Sequence, residues 1–277
     1  MKATFVPNRI AGQAAAGDLD RPRPICETPA MIAGSDLDAE RQLPTSRPDA
    51  AGGSRFQVRL AALAVSLLCL GGLALAVDLP VARWCKSERL PREAMRLLNF
   101  SEAFAHGTGA AALLVVVLVL DPRLQLPRLG RNSLAPGARD FLRIIAATFT
   151  GGLLVDGVKA LVERVRPRAA DLASVATAFD TFGSAARLPQ STSHSDVTSF
   201  PSGHAAVAAG FAAALAWRYP RAAALFAVIG LLAATQRVVS SAHYPSDVAC
   251  GAAIGLIGAA WFLGGGHGPA MEPASDS

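Results

Sequence analysis

Charge and aromatic rings are both scarce in this chain. Of its 277 residues, 17% are Asp, Glu, Lys or Arg and 6% are Phe, Trp or Tyr. An ordinary soluble domain carries about a quarter charged residues. No basic stretch is interleaved with stacking rings, so the formal charge of +5 does not read as nucleic-acid binding. The four cysteines, Cys26, Cys69, Cys85 and Cys250, form no CxxC pair. That excludes a zinc-type cluster or a disulfide framework as the organising feature. Cys69 and Cys250 lie inside apolar runs and read as small buried hydrophobes. No apolar stretch lies near Met1, so no cleavable signal peptide is expected.

Apolar residues are abundant instead. They make up 52% of the chain and come in blocks, with a mean hydropathy of +0.35. This pattern predicts an all-α, polytopic membrane helix bundle with about six transmembrane helices. The expected spans are 60–77, 104–120, 141–162, 203–217, 222–239 and 248–263. The arginines are expected to flank these spans and face membrane lipids with anionic headgroups. Residues 1–54, with Arg21-Pro22-Arg23-Pro24 and Ala51-Gly52-Gly53-Ser54, have the composition of a solvated, disordered tail. The membrane domain is expected over 55–265, followed by a short C-terminal tail at 266–277.

Three polar clusters stand where apolar stretches meet loops. The first is Lys159-x6-Arg166-Pro167. On a helix, seven residues return to nearly the same face, and Pro167 disfavours helix at Arg166. The second is Pro201-Ser202-Gly203-His204, before an Ala-rich stretch. Ser202 suits an N-cap, Gly203 permits close approach of a ligand, and a helix start attracts anions. The third is Arg237-x5-His243-x3-Asp247, with Pro245 placed for a first helical turn. A carboxylate one turn from a histidine can fix its tautomer and leave the other nitrogen free to attack.

Each cluster alone has a plainer reading: interfacial snorkelling, a capped helix, or a structural His–Asp contact. Six spans, however, place the loops 3–4 and 5–6 on the same membrane face. All three clusters then converge on one site. Ionisable groups at the edge of a membrane are costly and usually functional.

In order and spacing, the clusters resemble the three motifs of the type-2 phosphatidic acid phosphatase superfamily: Lys-x6-Arg-Pro, Pro-Ser-Gly-His and Ser-Arg-x5-His-x3-Asp. The resemblance covers roughly residues 55–265. One departure is Gln236, where the family pattern has serine. The resemblance implies a membrane phosphatase. His243 would attack phosphorus and form a phosphohistidine, and Asp247 would orient His243. His204 would protonate the leaving alkoxide and then activate water. Lys159, Arg166, Arg237 and the Ser202–Gly203 turn would cradle the phosphate oxygens. Three fixed cations would do the charge work of a metal, so neither metal nor other cofactor is expected.

The expected partner is an amphiphilic lipid phosphate or pyrophosphate whose tail stays in the bilayer. The expected setting is a bacterial inner membrane, with the termini cytoplasmic and the site on the periplasmic face. Three other readings compete. A lipid phosphotransferase would use the same fold. A transporter or lipid-binding protein would place charges at mid-span or at broken helices. Vanadate-dependent haloperoxidases share a similar cradle but are soluble. His106 and His267 read as structural or exposed, and His194 and Asp196 as part of a solvated loop near the site mouth.

Overall fold

Long apolar segments with small residues at regular intervals can bury backbone against backbone, and this chain does so. The computed structural model describes residues 49–88, 90–124, 136–183 and 193–264. Most of the expected N-terminal tail and all of the C-terminal tail lie outside them. Within them are eight α-helices: α1 (Asp49–Ala74), α2 (Asp78–Ser87), α3 (Arg92–Ala105), α4 (Gly107–Leu120), α5 (Pro136–Lys159), α6 (Gly203–Arg218), α7 (Ala223–Val239) and α8 (Pro245–Leu263). Isolated bridges join Arg164 to Phe182 and to Thr198, and no strands form among the described residues.

Helix α8 is the hub. It packs against α1, α5 and α6, while α6 also packs against α5 and α7, and α3 against α7. The contacts are close because the facing residues are small. A Cβ on Gly255 would collide with the carbonyl of Ala206, and one on Gly210 would lie 2.5 Å from the carbonyl oxygen of Ala147. Lipid supplies little hydrophobic drive between helices, so such close van der Waals packing carries the association. Large apolar side chains point outward instead, among them Leu73, Val119, Leu153, Leu231 and Trp261. In water that pattern would be a liability; in lipid it is the solvated surface.

Among the described residues, four helical segments are long and apolar enough to cross a membrane: Ser54–Ala74, Pro136–Lys159, Pro220–Val239 and Pro245–Leu263. A fifth crossing is available if α3 and α4 count as one bent unit. The expectation of six spans is therefore approximate, and two segments account for the difference. The expected span 104–120 is broken at His106, which is extended (φ −79°, ψ 133°), and α3 and α4 meet there at a 74° bend. Gly107, Thr108 and Gly109 follow the break, and all three are weak helix formers. The expected span 203–217 is helical as α6, but its 16 residues reach only about 24 Å. Most of it is buried among its neighbours rather than exposed to lipid.

The expected span 141–162 also ends early. Helix α5 stops at Lys159, and residues 163–166 run extended. The amide of Arg164 donates to the Val197 carbonyl at 2.7 Å, and the amide of Ser199 donates to the Arg164 carbonyl at 2.9 Å. Lys159 and Arg166 are thus not on one helical face. The seven-residue spacing works instead through a helix end and an extended return.

Candidate active site

The C-terminal ends of α5 and α7 meet the N-terminal ends of α6 and α8 at one end of the bundle. Ser202 caps α6, its hydroxyl accepting from the Ala205 amide at 3.4 Å. The Ser202 amide donates to the carbonyl of Asp247 at 3.0 Å, which ties this turn to α8. A Cβ on Gly203 would lie 3.5 Å from Lys159 Nζ. The lysine therefore faces the start of α6 at ordinary contact distance.

After α7 the chain turns sharply through Ser241, whose φ of 53° is left-handed. The amides of Ala242 and His243 both donate to the carbonyl of Arg237 at 3.1 Å. This turn brings the arginine and the histidine of the third cluster together. His243 is 1% exposed. Its Nδ1 lies 2.7 Å from the carbonyl oxygen of Ser199 and 3.8 Å from the Asp247 carboxylate. A carbonyl can only accept, so the proton sits on Nδ1 and Nε2 carries the lone pair. Burial is the main reason that the His243 imidazole titrates below its ordinary range; Arg166 and Lys159 add to the effect, and Asp247 opposes it.

Asp247 is fully buried in the first turn of α8 and accepts from three groups. They are the Tyr244 amide at 2.9 Å, the Ser199 hydroxyl at 2.6 Å and Arg164 Nη1 at 2.5 Å. The expected direct hydrogen bond to His243 is replaced by the Ser199 carbonyl, because these three donors already hold the carboxylate.

The largest omission from the sequence reading is Arg164. It is fully buried. Its guanidinium pairs with Asp247, with Asp78 Oδ2 at 2.7 Å and with the hydroxyls of Ser246 and Thr181. It stacks between the rings of Phe182 and Tyr244, 4.4 Å and 4.1 Å from their centroids. Asp78, at the start of α2, also accepts from the Ser246 amide at 3.0 Å. The available signal was a second arginine in Glu163-Arg164-Val165-Arg166, next to the motif arginine.

Arg166 is half-buried, and its Nε donates to the Ser195 carbonyl at 2.7 Å. Burial and the nearby guanidinium of Arg168 lower its pKa, with Arg237 also close enough to contribute. Arg237 is 8% exposed and pairs with Glu102 of α3. Arg237, His243, His106 and Lys159 all lie within electrostatic reach of His204. The rings of His106 and His204 meet edge-on, with centroids 5.5 Å apart. His106 is exposed, as expected, and the break between α3 and α4 puts it beside the site. His194 lies in a short 3-10 turn and, with Asp156, Lys159, Ser195 and Thr198, lines an open pocket of about 460 Å³.

Two imidazoles, three cations, a capped helix start and a buried carboxylate thus converge at one end of a membrane helix bundle. Residues 140–265 match the family model described as the PAP2 superfamily. A lipid A 1-phosphatase of Rhizobium johnstonii is 37% identical over 111 residues, covering 40% of this chain and 40% of that protein. A lipid A 1-phosphatase of Rhizobium etli is 35% identical over 111 residues, covering 40% of this chain and 42% of that protein. The chain thus spans about two fifths of the length of the curated relatives it matches. No solved structure matches it.

Proposed function

We propose that this protein is an integral membrane phosphatase that hydrolyses a lipid phosphate through a phosphohistidine. The observation that carries this reading is the 2.7 Å contact of His243 Nδ1 with the Ser199 carbonyl, which leaves Nε2 as a nucleophile among Lys159, Arg166 and Arg237.

In the first step Nε2 of His243 bonds to phosphorus and the ester P–O bond breaks. His204, protonated, gives its proton to the leaving alkoxide. In the second step the now neutral His204 takes a proton from water, whose oxygen displaces His243 and releases phosphate. Lys159, Arg166, Arg237 and the Ser202–Gly203 helix start stabilise the equatorial oxygens. Phosphoryl transfer requires mainly this positioning and charge stabilisation. Asp247, held by Arg164 and Ser199, keeps negative charge near the phosphorylated imidazole.

The site lies at the ends of apolar helices, which suits a phosphate whose tail remains in lipid. The relatives' names make a lipid A 1-phosphate the first substrate to test. The relatives are bacterial, which supports a bacterial inner membrane as the proposed setting, with the site on its outer face. The test is phosphate release by purified protein across lipid phosphates in the presence of a chelator. Release with water as the only acceptor supports the hydrolase. Turnover only when an acceptor lipid is added would identify a phosphotransferase instead.

A further inference from the structure

Arg237 enters the site already engaged. Its Nη2 pairs with Glu102 Oε1 at 2.5 Å, and its Nε donates to Gln236 Oε1 at 2.5 Å. Gln236 Nε2 in turn donates to Asn99 Oδ1 at 3.2 Å and to Glu102 Oε2 at 3.4 Å. A closed ring therefore links Glu102, Arg237 and Gln236. Gln236 occupies the position where the superfamily pattern carries serine. An amide presents an acceptor to the arginine and donors to the carboxylate at the same time; a serine hydroxyl is too short to span both. The departure from the pattern thus adds amide contacts to an ion pair that Glu102 already makes directly with Arg237.

Glu102 also stands on a particular side of the site. One helical turn further along α3 is His106, whose ring touches that of His204. His204 is the proposed donor to the leaving group. The end of α3, with Glu102, therefore borders the side on which the leaving group departs. The Glu102 side chain is 36% exposed, against 10% for Arg237. It stands between the buried arginine and the open side.

The charges around the cradle are balanced. Lys159, Arg164, Arg166 and Arg237 face Asp78, Asp247, Glu102 and Asp156, which leaves no surplus charge. Arg168 and Asp196 pair with each other at the rim, and Asp156 is exposed beside Lys159. A phosphomonoester already brings about −1.5 to −2 charges, so the balanced cradle has no cation to spare for a second phosphoryl group. In a diphosphate ester attacked at its terminal phosphorus, the leaving group is itself a phosphate. Its charge would then fall on the His204 side, against Glu102.

We propose that Glu102 is a specificity-determining residue that restricts this cradle to a single phosphoryl group and disfavours diphosphate esters. The proposal rests on the phosphatase reading of the same site. It is tested by binding, so that the two can fail separately. The full-length protein in nanodiscs is titrated with inorganic phosphate and with inorganic pyrophosphate. The wild type is expected to bind pyrophosphate no more tightly than phosphate. Glu102→Gln is expected to raise the pyrophosphate-to-phosphate affinity ratio about tenfold. Glu102→Ala removes the same charge and provides the readout on a second background. Gln236→Ser keeps the carboxylate, so its ratio is expected to stay within about twofold of wild type. Three results would overturn the proposal: an unchanged ratio in both Glu102 variants, an equal shift in Gln236→Ser, or a wild-type preference for pyrophosphate. Failure of the wild type to release phosphate from any lipid would refute the phosphatase reading, while the affinity ratios would still judge the role of Glu102.

Discussion

His243 Nδ1 lies 2.7 Å from the carbonyl oxygen of Ser199, a residue on the approach to α6, and 3.8 Å from Asp247 in its own cluster. The backbone, rather than the acid, sets the tautomer of the nucleophile. The acid is occupied by Arg164, by the Ser199 hydroxyl and by the Tyr244 amide. Its contribution to His243 is electrostatic and, through Ser199, positional.

Ser199→Ala and Asp247→Asn are therefore expected to differ sharply. The first keeps the backbone carbonyl and deletes one hydroxyl, so phosphate release should fall by no more than about tenfold. The second leaves Arg164 with one carboxylate instead of two in a fully buried setting. A loss of about 3–5 kcal/mol in stability is expected, together with loss of turnover. Thermal unfolding and phosphate release on the two variants check this.

The pH profile follows from burial of His243. Its folded pKa lies below the ordinary 6.5, with burial as the first cause. The unprotonated nucleophile therefore persists below pH 6.5, and the acid limb of kcat/KM should fall below that value. The same shift makes the unfolded state bind more protons than the folded state between the lowered pKa and 6.5. Stability from this group is thus fully present above pH 6.5 and is lost as pH falls through the folded pKa. Unfolding midpoints and initial rates across the acid range measure both effects.

Gly251 offers a test of how α8 supports the α6 turn. A Cβ there would collide with the Ser202 carbonyl oxygen and lie 3.0 Å from the Ser202 nitrogen. Gly251→Ala should cost about 1–3 kcal/mol through overpacking, and should lower kcat/KM because Ser202 and Gly203 must move. Gly72→Ala is the control, since a Cβ there meets nothing within 4 Å. Its activity and stability should match wild type.

The sequence carried the helical class and the convergence of its three motifs because both depend on local pattern. Apolar blocks mark helices, and three spaced motifs bring His204, His243, Asp247, Lys159, Arg166 and Arg237 to one end of the bundle. Other features depend on contacts far apart in the chain. Arg164 binds Asp78 across 86 positions and Asp247 across 83, and no spacing rule reveals such a pair. The early end of α5 comes from the same source, since a buried arginine paired with backbone at Val197 and Ser199 pulls the chain out of helix. His106 and Glu102 reached the site through the bend between α3 and α4. Hydropathy averages across that bend, because 104–120 remains apolar whether straight or broken.

The most direct measurement is to quench the protein during turnover of a lipid phosphate and map any phosphoryl group by mass spectrometry under alkaline conditions, where phosphohistidine survives. The account predicts an acid-labile phosphoryl group on His243, absent from a His243→Ala variant that inserts normally and releases no phosphate. Wild-type rates of phosphate release from His243→Ala membranes, or a phosphoryl group trapped on another residue, would contradict it.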